Sequence, residues 1–92
     1  MPLEITKNDK ARRFEAVVNG ETAFLRFHMA GETMHLLYVE VPIAARGHGV
    51  AAEMTKYVLD YAQRHGFNVV PVCSYIRAYL LSHPKYEPLL AK

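Results

Sequence analysis

The hydrophobic period of this chain changes twice in its second half, and that double change constrains the fold more than any other feature. From Glu21 to Val41 apolar and polar side chains alternate with the two-residue period of half-buried strands. From Val50 to His65 the period is 3.6, with Met54, Tyr57, Val58, Tyr61 and Ala62 on one stripe and Glu53, Lys56, Asp60, Gln63 and Arg64 mostly off it. Phe67 to Val72 is then a short apolar, β-branched run, interrupted by Pro71. Strand, helix and strand in succession predict a right-handed crossover and a parallel strand pair.

The first half predicts an antiparallel meander. Leu3-Glu4-Ile5-Thr6 and Arg13 to Val18 read as short strands separated by Asn8-Asp9-Lys10. Asn19-Gly20 is a strong hairpin signal, because a two-residue I′ turn needs positive φ at both central positions. It leads to a strand over Glu21–Ala30, with Ala23, Leu25, Phe27 and Met29 on one face and Phe24, Arg26 and His28 on the other. After a turn at Ala30-Gly31-Glu32, His35, Leu37, Val39 and Val41 alternate with Met34, Leu36, Tyr38 and Glu40 until Pro42 ends the strand. Gly66 is placed to stop the long helix, Ser74 to Ser82 reads as a second helix closed by Pro84, and Tyr86 to Leu90 as a short tail. The expectation is one α/β (α+β) domain over residues 1–92, with a mixed sheet and two main helices.

Composition narrows the function classes. Of 92 residues, 51% are hydrophobic and 22% charged, enough for a real core and too ordered a balance for a disordered tail. A formal net charge of +2 is too small for a dedicated nucleic-acid binder. The apolar runs are a few residues long, whereas a helical membrane span needs roughly 20. The charged start, MPLEITKNDKARRF, lacks a secretory h-region, and the single cysteine, Cys73, has no internal partner; both fit a cytoplasmic protein. The five histidines lack metal-ligand spacing, so no metal site is expected.

Two places carry candidate chemistry. Arg46-Gly47-His48-Gly49-Val50-Ala51 joins a strand to a helix, where free backbone N–H groups and the positive dipole end favour an anion, and glycines let backbone approach a pyrophosphate closely. The same loop is also what any tight strand-to-helix connection requires. Cys73 lies between a strand and a helix N-terminus, a setting that favours thiolate, although free cysteines are equally common as small buried hydrophobes. Glu40, near the end of its strand, is either a proton acceptor for an incoming ammonium or a solvated carboxylate.

The pattern Arg46-x-x-Gly49-x-Ala51, after one strand and opening a long helix, resembles the Gln/Arg-x-x-Gly-x-Gly/Ala motif of the GCN5-related N-acetyltransferases. Glu40-Val41-Pro42, Val70-Pro71-Val72-Cys73-Ser74-Tyr75-Ile76 and His83-Pro84-Lys85-Tyr86 are similar to the minimal members that carry a cysteine after the last strand. Together these span about Tyr38 to Tyr86, half of the chain. The resemblance implies acetyl-CoA as acetyl donor, held in a cleft between the two parallel strands. The backbone N–H groups of Arg46, Gly47, His48, Gly49, Val50 and Ala51 would take the pyrophosphate, and the pantetheine arm would run along Tyr38 to Val41 like an extra strand. The acetyl group would go to an amine, directly or through Cys73, with Glu40 as base. Where many members have a His-Thr pair, this chain has Tyr38 and Val39, and Tyr79 is near but not at the place of the superfamily's tyrosine acid. Without the flanking elements of larger relatives, the resemblance implies an open acceptor site, suited to a bulky acceptor such as a protein or peptide amine or to completion by another subunit; a monomer is the expected state. The other class consistent with these residues is a non-catalytic CoA-binding or protein-interaction module on the same fold.

Overall fold

The computed structural model describes residues 3–91; Met1 and Pro2, which begin the charged N-terminal stretch, and Lys92 lie outside the described residues. Strands β1 (Thr6–Asn8), β2 (Arg13–Val18), β3 (Glu21–Ala30), β4 (Thr33–Glu40) and β5 (Asn68–Pro71) form one sheet in sequential order. The first four pair antiparallel and β4 pairs parallel with β5. The mixed sheet is therefore as expected, with one shift at the start. Pairing in β1 begins at Thr6 and runs through Asn8, so the polar break falls at Asp9–Arg12 and Leu3 and Ile5 precede the strand. At the β2–β3 turn Asn19 and Gly20 have φ of 52° and 77°, the left-handed values the Asn-Gly pair predicts.

Both helices lie on the same face of the sheet. Helix α1 (Val50–His65) packs across β3, β4 and β5, and α2 (Ser74–Ser82) across β4 and β5. Between sheet and helices lies one core, in which Phe14, Leu25, Met34, Leu36, Met54, Leu59, Val69 and Ile76 are fully buried. Each such side chain contributes about 1.5–3 kcal/mol relative to leaving it in water. The buried stripe of α1 is Val50, Met54, Thr55, Val58, Leu59 and Ala62. It is rotated from the expected one: Leu59 belongs to it, while Tyr57 is 36% exposed and reaches the core only edge-on, through the Phe14 ring 6.0 Å away. Gly66, with φ of 70°, stops α1 as predicted, and Phe67 N–H turns back to Ala62 O at 2.9 Å.

The C-terminal tail is docked. Residues Pro84–Leu89 form a 3-10 turn and Leu90 bridges to Val69. Buried Tyr86 donates its hydroxyl proton to Asp60 Oδ1 at 2.6 Å, tying this turn to α1. Among the described residues, the opposite face of the sheet carries no helix. Arg13, Phe24, Arg26, His28, His35, Tyr38 and Glu40 point outward there.

Candidate functional site

The site is a fork in the sheet. β4 and β5 are in register only from Thr33↔Asn68 to Leu36↔Pro71. Pro71 has no N–H to continue the ladder, and the next two amides, Val72 N–H and Cys73 N–H, both turn onto Leu36 O at 3.0 and 3.1 Å. The chain then enters α2, while β4 continues to Glu40 against β3 alone. Among the described residues, one backbone edge of β4 beyond Leu36 consequently has no strand partner, and Cys73 stands at the apex where the two strands part.

A β-bulge sits at that apex. Phe27 pairs with Leu36 and Arg26 with Tyr38, leaving Leu37 as the extra residue. The strict alternation read from sequence therefore breaks here. Met34 and Leu36 face the helices, but beyond the bulge it is Val39, paired with Leu25, that packs against the core. The expectation that Glu40 shares a face with Tyr38 and Leu36 is corrected by this single insertion: Glu40 and Tyr38 point away from the helices. A bulge adds twist and re-aims the strand, which helps β4 to diverge from β5.

At the mouth of the fork the chain passes through Pro42 and a short 3-10 turn over Ile43–Ala45 to the glycine loop. Gly47 and Gly49 have φ of 85° and 69°, a region other residues adopt only under strain. Gly49 is the N-cap of α1 and offers no capping side chain, and Glu53 N–H is the first to bond within the helix, to Gly49 O at 3.0 Å. The amides of Val50, Ala51 and Ala52 therefore have no intrahelical acceptor and add to the positive end of the dipole. A Cβ added at Gly47 or Gly49 would meet nothing within 4 Å, so the space before these amides is open. Arg46 Nε donates to Val41 O at 3.0 Å, which braces the loop against the end of β4.

These groups converge. Val41, Arg46, Gly47, Gly49, Val50 and Ala51 line one pocket of about 210 Å³. Val50 is 2% exposed, so its contribution is its backbone. The pocket has a wall that sequence reasoning missed: Tyr75, 40% exposed, reaches it from the first turn of α2. Its position two residues after Cys73 was the only sequence signal, and that became legible once α2 was seen to cross β4. His48 does not join the group. Its side chain lines the neighbouring hollow with Val18, Asn19 and Glu53, so only its backbone can serve the cradle.

Cys73 is half-buried at the N-cap of α2 and packs against the core from the helix side. Glu40 is exposed, opposite Phe24, and about 10 Å along β4 from Leu36, the three strand steps from Phe27 to Phe24 on the partner strand. The two candidate catalytic side chains are thus at opposite ends of the fork. Tyr79 lies on the later turns of α2, stacked on His83 at 3.9 Å. Burial pushes its phenol pKa up, with Asp60 adding to the rise against the opposing pull of Lys56. Among the described residues no His, Cys, Asp and Glu side chains gather as a metal site, and no helix is long and apolar enough to cross a membrane.

A family model described as GCN5-related N-acetyl-transferase matches residues 13–89. The chain belongs to that family. Among its relatives, Protein NATD1 of Gallus gallus is 30% identical over 86 residues, covering 90% of this chain and 78% of the relative. Protein NATD1 of Homo sapiens is 29% identical over 86 residues, covering 90% and 76%. The solution structure of a GCN5-like protein from Staphylococcus aureus has a TM-score of 0.75 against this fold, over 97% of this chain and 88% of that one. At 18% identity that is a likeness of fold. The matched segment includes all of the fork, its glycine loop and Cys73.

Proposed function

We propose that this chain is an N-acetyltransferase that draws on acetyl-CoA. The observation that carries the reading is the fork itself, with an unpartnered strand edge running from free helix amides at its mouth to a cysteine at its apex. Val41, Arg46, Gly47, Gly49, Val50 and Ala51, with the His48 backbone, suit a pyrophosphate by charge and by the open space before the amides. The free edge of β4 from Leu37 to Val41 offers alternating donors and acceptors to the amides of a pantetheine arm, as an added strand would use them. Acetyl-CoA supplies the acetyl group as an activated thioester.

Cys73 Sγ is the acetyl carrier in this reading. Its sulfur bonds to the acetyl carbon, the bond from that carbon to the CoA sulfur breaks, and the thiol proton passes to the departing sulfur. The amine nitrogen then takes the acetyl carbon from Sγ, and a proton from the amine returns to Cys73. Glu40 is too distant to touch the apex, so it receives the remaining ammonium proton through solvent at the mouth.

Intact-mass spectrometry after incubation with acetyl-CoA, under acid quench and beside Cys73→Ala, tests the carrier. A hydroxylamine-labile acetyl adduct that disappears in Cys73→Ala is the expected result. Saturable acetyl-CoA binding with no labile adduct would instead mean direct transfer or a CoA-binding module without turnover. Acetylation of an added amine by Cys73→Ala separates those two.

A further inference from the structure

The uncovered face of the sheet holds a further hollow, over β3 and β4 and beside the apex of the fork. It measures about 260 Å³ and is lined by Arg12, Arg26, Phe27, His28, His35 and Leu37. Its position follows from the pairing. His35 is opposite Val70 in β5, Leu36 takes the last two amides before α2, and Leu37 is the bulged residue. His35 and Leu37 therefore bracket the last position at which β4 and β5 are joined.

Its charge is one-sided. Among the described residues no carboxylate lines it, whereas the neighbouring cations are already paired: Arg13 with Glu15 and Lys7 with Asp9. Neither Arg12 nor Arg26 takes part in an ion pair among the described residues. Arg26 Nε is buried yet has no hydrogen-bond partner, an expensive state for a charged donor. His28 and His35 face each other across the strands with ring centroids 5.9 Å apart and add two more polar edges. Leu37 gives the hollow an apolar side that suits a short carbon chain, while Phe27, whose ring packs in the core against Phe14, contributes only its backbone.

We propose that this hollow is the acceptor subsite, and that it takes a small amine carrying an anionic group, a carboxylate or phosphate held by Arg12 and Arg26. The proposal rests on the reading of the fork as the acetyl-CoA site, since it places the acceptor beside that fork's apex. The anion contact itself does not depend on acetyl-CoA, which lets the two be tested apart.

Imidazole NMR signals of His28 and His35 are followed while phosphoethanolamine is added without acetyl-CoA, with His65 on α1 as internal reference. The expected result is a saturable shift at His28 and His35 only. Arg12→Gly should weaken it about tenfold, the loss of one charge-assisted contact. Arg12 has φ of 56°, so glycine relieves the backbone there and the variant should fold even where Arg26→Gln does not. In turnover, kcat/KM for phosphoethanolamine and for β-alanine should exceed that for ethanolamine by about tenfold or more, and the preference should collapse in Arg12→Gly at unchanged acetyl-CoA affinity. Absence of a saturable shift at the two histidines, equal affinity in wild type and Arg12→Gly, or no preference for the anionic amines would overturn the proposal. Failure of the wild-type protein to bind acetyl-CoA would refute the fork reading while leaving the histidine titration to report on the hollow.

Discussion

Placing a carboxylate at Ala51 separates the anion cradle from the stability of the helix that builds it. Ala51 is the second residue of α1, half-buried, and lines the loop pocket. A glutamate there complements the helix dipole and should stabilise the fold by about 0.3–1 kcal/mol. For a domain of this size that is an increase in Tm of roughly 1–8 °C. Toward a pyrophosphate on the adjacent amides the same charge is repulsive. At about 5 Å the repulsion is near 1 kcal/mol per charge in a water-like dielectric and about 3 kcal/mol at an effective constant of 20. Ala51→Glu should therefore raise the Kd for acetyl-CoA by about 5- to 150-fold at 0.15 M salt, and less as salt screens the pair. Ala51→Gln has the same bulk without the charge, so the Glu-to-Gln ratio isolates electrostatics from crowding. Isothermal titration calorimetry gives the affinities and thermal unfolding gives the stabilities. Equal Kd in the two variants would refute the cradle.

Three further outcomes follow from the geometry. Deleting Leu37 would close the bulge while leaving Leu36 and Val39 on the core face, so the protein should keep its circular dichroism spectrum yet lose acetyl-CoA binding; undiminished binding would show that the bulge does not open the fork. Tyr86→Phe removes a hydrogen bond to a charged carboxylate and should cost about 1.5–3 kcal/mol in denaturant unfolding, with no change in acetyl-CoA affinity. Burial opposes ionisation of Asp60, but its bonds from Tyr86 and Lys56 prevail and hold its pKa below the usual value; its contribution to stability is therefore present above the unfolded pKa, near 4, and is lost as pH falls through the lower folded value, which an unfolding series from pH 6 to 2 in wild type and Asp60→Asn would reveal.

The crossover and the meander were legible because their signals are local. Asn19-Gly20 dictates its own turn, and the period of 3.6 over α1 needs no partner to be seen. What escaped the sequence depends on a neighbour. The bulge at Leu37 is defined only by which β3 residue each β4 residue faces, and it turned Glu40 away from the core side that alternation assigned to Leu36. The rotation of the α1 stripe toward Leu59 likewise reflects where the sheet lies under the helix rather than the helix alone. In the candidate site, the strand-to-helix position of the loop and its resemblance to a family motif singled out residues that do line one pocket, but Tyr75 reaches that pocket from another element and His48 turns into a different hollow. The cationic hollow beside the apex joins Arg12 from a turn to Arg26, His28 and His35 from two strands, which no linear motif records.

The most direct test of the central claim is amide chemical-shift mapping of the labelled protein during an acetyl-CoA titration. If the fork is the cofactor site, the saturating shifts concentrate at Gly47–Ala52, on Leu37–Val41 and around Cys73, and the amides of β1 and of the β2–β3 turn stay in place. Shifts confined to the β1–β2 side of the sheet, or no saturable shift, would contradict it.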